Sequence, residues 1–95
     1  MTLIEEVLQE VNQIRANAGL EALLNLPRGV IGTTSTCPLA RALQDVRSGL
    51  CIGAHNAYVW GFAPYEELFD LSPNMQLFVS NFDEGLYPEL EDHGD

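Results

Sequence analysis

Lysine is absent from this sequence, and its four arginines stand against fourteen aspartates and glutamates. A formal net charge of −10 argues against direct binding to nucleic-acid phosphates or anionic membranes, both of which are engaged through basic patches. It leaves room for a protein partner with a basic surface. Long apolar runs are missing too: no stretch approaches the roughly 20 residues that cross a bilayer. The opening MTLIEEV is acidic and lacks a basic n-region or cleavage site, so no secretory signal is expected. Cysteine is scarce. Cys37 and Cys51 form no C-x2-C pair, and without an export signal they read as reduced thiols in a cytoplasmic protein.

What is present is enough for one folded unit. Across 95 residues, 46% hydrophobic and 19% charged composition is ordinary for a globular chain with a single modest core. The expected organisation is one domain over residues 1–90, followed by an acidic, solvated tail at 91–95.

Thr2 and Glu5 have the spacing of a capping box. Behind them Leu3, Ile4, Val7, Leu8, Val11, Ile14 and Ala18 recur on one helical face, with Glu5, Glu6, Gln9, Glu10, Asn12, Gln13 and Arg15 on the other. Gly19 is placed to end that helix. LEALLNL at 20–26 reads as a short helical segment halted by Pro27. Gly32-Thr-Thr-Ser35 then feeds Thr36-Cys37-Pro38: a loop, a capping hydroxyl at Thr36, and a proline in the first turn of a helix running to about Val46 or Arg47. Ile52, Tyr58, Val59 and Trp60, punctuated by Gly53, Asn56 and Gly61, predict two short extended pieces near 50–53 and 57–61 with a turn near His55-Asn56. Tyr65–Phe69 reads as a single helical turn. Ser72-Pro73 opens a final helix with Met75, Leu77, Phe78, Val79 and Phe82 inward, ending at Gly85. Leu86, Tyr87, Pro88 and Leu90 read as a strap laid back on the body. The expectation is a compact α+β domain of three main helices with a small two-stranded sheet or hairpin.

Two segments carry a resemblance. Gly32 with Cys37, Pro38, Leu39, Ala40, Ala42 and Leu43 has the form G-x(4)-C-P-L-A-x-A-L. Phe82, Asp83, Gly85, Tyr87, Pro88, Glu89 and Leu90 have the form F-D-x-G-x-Y-P-E-L. In the runs LPRGVIGTTSTCPLARAL and NFDEGLYPEL that contain them, about a third of the chain, the sequence resembles a family of small uncharacterised proteins of actinobacteria and their phages, of mycobacteriophage type. The absence of lysine fits a GC-rich host, because lysine codons are A-rich. The resemblance implies an origin rather than an activity, and for a phage protein in a bacterial cytoplasm an accessory role such as interfering with a host protein.

Candidate chemistry is sparse. Cys37 at a helix N-terminus could be an activated thiol, yet a free cysteine is commonly a buried small hydrophobe. Its only candidate bases are His55 and the tail residue His93. Cys37, Cys51, His55 and His93 are ligand types that suit zinc, but they lack the paired spacing of a zinc knuckle. No catalytic residue, metal site or cofactor is therefore assigned. The aromatics Tyr58, Trp60, Phe62, Tyr65 and Phe69 exceed what so small a core requires, although part of that cluster is core. Tyr58, Trp60, Phe62 and Tyr65, with Glu66 and Glu67 as an acidic rim, are the candidate protein-binding residues. The expectation is a non-enzymatic acidic protein that binds a protein partner. The alternatives are a small thiol- or metal-dependent enzyme using Cys37 and His55, and an acidic mimic of nucleic acid.

Overall fold

The computed structural model describes residues 1–59 and 66–92. The Thr2 hydroxyl accepts from the Glu5 amide at 3.2 Å and the Glu5 carboxylate accepts from the Thr2 amide at 3.3 Å, closing the capping box. Helix α1 then spans Leu3–Asn17. It ends at Ala18, which is exposed, and Gly19 follows at φ +78°, a left-handed conformation that glycine adopts without a Cβ penalty. Val7 and Val11 are fully buried. Arg15, expected on the outer face, is buried instead, because its guanidinium finds backbone carbonyls inside the molecule.

Residues 20–26 are not helical. A run this short does not sustain a helix alone, and α1 offers it other partners. The Asn12 side chain donates to Leu23 O at 3.0 Å and accepts from Leu23 N at 2.8 Å, a pairing that holds this stretch against the helix. Leu26 drops into the core while Leu24 stays 91% exposed.

Helix α2 is Pro38–Leu43, shorter than expected and capped by Cys37 rather than Thr36. The Cys37 sulfur accepts from the Ala40 amide at 3.4 Å. Thr36 is engaged elsewhere: its hydroxyl pairs with that of Thr33, and its carbonyl accepts from Val30 N. Beyond α2 the chain makes turns into β1, Leu50–Ile52.

Strand β2, Asn56–Val59, pairs antiparallel with β1, and the turn falls at 53–55 rather than at His55-Asn56, because Asn56 already pairs within the sheet opposite Asp70. The expected helical turn at 65–69 is corrected: Glu66–Asp70 is a third strand, β3, antiparallel to β2, so the sheet has three strands in the order β1-β2-β3. Pairing with β2 overrides the weak strand preference of Glu66 and Glu67. A bulge interrupts the register at Ala57/Tyr58.

Helix α3, Pro73–Asp83, starts as expected, with the Ser72 hydroxyl accepting from Met75 N and proline in the first turn. Met75, Phe78 and Phe82 are buried, whereas Leu77, expected inward, is 53% exposed because it lies off the 75/78/82 face. Among the described residues the architecture is three α-helices and this antiparallel sheet around one core, an α+β fold.

The strap docks. Tyr87 stacks on Phe78 with ring centroids 5.3 Å apart, and Pro88–Leu90 forms a 3-10 turn. The tail boundary moves accordingly. Glu91 bridges Gly29, Asp92 N donates to Gly29 O at 2.8 Å, and Arg41 Nη1 meets Asp92 Oδ2 at 2.8 Å. Glu91 and Asp92 thus belong to the docked strap, held by backbone pairing and an ion pair, and residues 93–95 lie outside the described ones. Truncation before Leu86 is expected to lower stability by on the order of 1–3 kcal/mol, from exposure of one or two large side chains. An unchanged urea midpoint would show that the strap contributes nothing.

Candidate functional site

The strands β1 and β2 divide their side chains between two faces. Leu50, Ile52 and Ala57 belong to the core, so the alternation turns Cys51 and Tyr58 to the outer face. The register sets Tyr58 beside Cys51 of β1 on one side and Glu67 of β3 on the other. Tyr58 is half-buried; Glu66 and Glu67 are exposed. Tyr58 and Glu67 are thereby brought together on the outer face, whereas Glu66, opposite Val59, falls on the other face of the sheet, beside Arg47. Trp60, Phe62 and Tyr65 lie outside the described residues.

Each carboxylate is oriented by a neighbour. Asn56 Nδ2 donates to Glu67 Oε1 at 2.7 Å, and Arg47 Nη2 meets Glu66 Oε2 at 3.0 Å with both side chains about half exposed. Such an exposed ion pair contributes at most about 1 kcal/mol, so it orients Glu66 more than it stabilises the fold. Arg47 and Asn56 were not singled out in the sequence. Nothing local marks them, since their partners are 19 and 11 residues away. On the outer face Tyr58 and Cys51 also line a shallow cleft of about 420 Å³ with Thr34, Ser35 and Gly49.

The two family-like segments meet elsewhere. Gly32 N donates to Asp83 Oδ1 at 3.2 Å. Around that contact Thr33, Thr34, Ile52, Val79, Ser80 and Asp83 line an open cleft of about 460 Å³. The contact ties the loop before α2 to the end of α3.

Cys37 is 4% exposed, and burial, reinforced by the charge of Asp83, pushes its thiol above the ordinary value of 9.0 against the lowering effect of the Ala40 and Leu39 amides. A buried thiol held in its protonated form is a poor nucleophile. Cys51 is likewise buried, His55 is exposed in the turn between β1 and β2, and His93 lies outside the described residues. Among the described residues no group of three or more histidine, cysteine, aspartate or glutamate side chains could hold a metal ion. Likewise, among the described residues no helix is long and apolar enough to cross a membrane.

The Cys37 environment predicts a pH effect. The unfolded thiol ionises near its ordinary value, while the folded one keeps its proton to higher pH. The stability this group contributes is therefore fully present below about pH 9 and is lost as pH rises through the folded-state value. Urea titrations should show stability falling in that alkaline window for the native chain and less so for Cys37→Ser, whose hydroxyl can still cap Ala40. An identical alkaline slope in both proteins would refute the assignment. No protein family, curated protein or solved structure matches the chain.

Proposed function

We propose that this chain acts without catalysis, by binding a protein partner with a basic surface through the outer face of the sheet around Tyr58 and Glu67, with Glu66 at its margin. One observation carries the reading: the β2–β3 register sets an outward tyrosine opposite an oriented, exposed glutamate. The sequence between the two strands adds Trp60, Phe62 and Tyr65. Aromatic side chains are enriched at the centres of interfaces, and a charged rim steers association more than it sets final affinity. The protonated, buried state of Cys37 weighs against the thiol enzyme. The resemblance to phage-type proteins makes a host protein the fitting partner class.

The test is quantitative affinity capture from an actinobacterial lysate, comparing the native chain with Tyr58→Ala and with Glu66→Gln/Glu67→Gln. Tyr58→Ala should weaken capture of the specific partner by about 2 kcal/mol or more, roughly thirtyfold, with folding intact by circular dichroism. The double glutamine variant should chiefly flatten the salt dependence of association. Capture indifferent to Tyr58 would overturn the reading, as would substrate turnover that depends on Cys37. Retention of DNA-binding proteins regardless of Tyr58 would favour nucleic-acid mimicry instead.

A further inference from the structure

Strand β3 is an edge of the sheet, and among the described residues its one strand neighbour is β2. The opposite edge, β1, is engaged by the loop before α2, since Ile52 N donates to Thr34 O at 2.8 Å. In an antiparallel strand alternate residues turn their N–H and C=O groups away from the neighbour. Among the described residues no backbone group pairs with β3 on that outer side. Three of its five residues, Glu66, Glu67 and Asp70, are exposed acids. Charges on an edge discourage pairing with a like-charged strand, and in a chain of net charge −10 they disfavour a second copy. Glu67 and Asp70, on the outer face, attract basic side chains of an added strand, whereas Glu66 lies on the groove side paired with Arg47.

The other two residues of β3 supply the complementary feature. Leu68 and Phe69 are half-buried and pack at the margin of the core. With Ile14 and Ala18 at the end of α1, and with Val46 and Arg47, they line a groove of about 360 Å³. An added strand alternates its side chains between the two faces of a sheet. One set would meet this apolar groove while the other lay on the outer face beside Glu67. In recognition by strand addition, main-chain hydrogen bonds supply affinity and pockets for alternate side chains supply selectivity.

We propose that β3 accepts an extended segment of a protein partner as a fourth strand, and that this segment alternates basic with apolar residues. The proposal rests on the protein-binding reading above and gives its partner a chemistry. The probe is an end-blocked peptide of about six residues alternating valine with lysine, long enough to cover one strand. Its counterpart alternates valine with glutamate. Hydrogen exchange of the full chain is read amide by amide. The lysine peptide should slow outward-facing amides of Glu66–Asp70 by about tenfold at saturation and leave those of β1 unchanged. Its binding should weaken with salt, and the glutamate peptide should not bind. Glu66→Lys/Glu67→Lys/Asp70→Lys should reverse that preference. If this variant fails to fold, peptides N-methylated along one edge serve with the native chain. Methylation of the edge that bonds β3 should abolish binding, and methylation of the opposite edge should not.

Equal binding of both peptides would overturn the proposal, as would lysine-peptide binding that leaves the β3 amides unprotected. Absence of binding by the lysine peptide, or self-association that protects β3, would do the same. Failure with the peptides alongside Tyr58-dependent capture would remove strand addition and leave the protein-binding reading standing. Tyr58-independent capture alongside peptide addition at β3 would remove the Tyr58 surface instead.

Discussion

Gly29→Ala is expected to destabilise the protein by about 3 kcal/mol, at the upper end of what overpacking a filled site costs. For a chain of this size that corresponds to a fall in Tm of roughly 12–24 °C. The reason is space rather than backbone conformation, since Gly29 does not have a positive φ. A Cβ there would lie closer than 3 Å to Pro38 N, Cys37 C and Pro38 Cδ. These are backbone and ring atoms at the start of α2, and none can rotate away. Relief requires moving the 28–31 segment outward. That movement would stretch Gly29 N–H to Leu90 O and Asp92 N–H to Gly29 O, both 2.8 Å, and loosen the strap. Gly32→Ala in the same loop is the control. Gly32 has φ +77° and open space around it, so its substitution carries only the left-handed penalty of about 1 kcal/mol. Urea unfolding of the two variants separates the cases, and equal midpoints would show the Gly29 site to be compliant.

The contacts at Gly29 and Gly32 also give the two family-like segments a physical meaning. The segment containing Gly29, Gly32 and Cys37 is joined to the one containing Asp83, Tyr87 and Leu90 by backbone pairing at Gly29 and by the Gly32–Asp83 hydrogen bond. Packing accounts for several of their residue types: a glycine where backbones cross closely, a tyrosine stacked on Phe78, and a cysteine small enough to cap and fill the start of α2.

The helices α1 and α3 were legible because their signals are local. A capping box, a serine–proline start and apolar residues at helical spacing all act within a few residues. The β1–β2 pair was legible for the same reason, its turn residues and strand formers lying within ten positions of one another. β3 was not, because EELFD has no strand signature of its own and becomes a strand through pairing with β2. Residues 20–26 misled in the same way: LEALLNL favours a helix until the Asn12 side chain takes its backbone at Leu23. Of the candidate site, the proximity of Glu66 and Glu67 could be read directly, but the setting of Tyr58 opposite Glu67 is a matter of register. The groove behind Leu68 and Phe69 depends on α1 and on the turn after α2, which no local pattern connects to β3.

Arg15→Ala is expected to cost about 3 kcal/mol or more, although helical spacing alone puts Arg15 on a solvated face. The side chain is 6% exposed, with Nε donating to Glu21 O at 2.8 Å and Nη1 to Ala42 O at 2.9 Å. It thus joins the end of α1 to the non-helical segment that follows and to the last turn of α2. Hydrogen bonds from a charged donor contribute roughly 1.5–3 kcal/mol each, and truncation leaves the Ala42 carbonyl buried without its partner. The nearby Asp45 is a lesser term. It stands 3.5 Å from Nη1 but is 71% exposed, so the pair is largely screened. Asp45→Asn should therefore cost less than about 1 kcal/mol. Arg15→Lys should fall between, because a single ammonium cannot reproduce a planar fork aimed at two carbonyls. Arg15→Met keeps much of the stem's packing, so a large loss there would assign the effect to the hydrogen bonds. Chemical denaturation of the four variants at low and high salt distinguishes the contributions. A salt-independent loss on Arg15→Ala with a small one on Asp45→Asn is the expected pattern. Equal losses at the two positions, both abolished by salt, would mean that the ion pair rather than the carbonyl contacts holds this corner together.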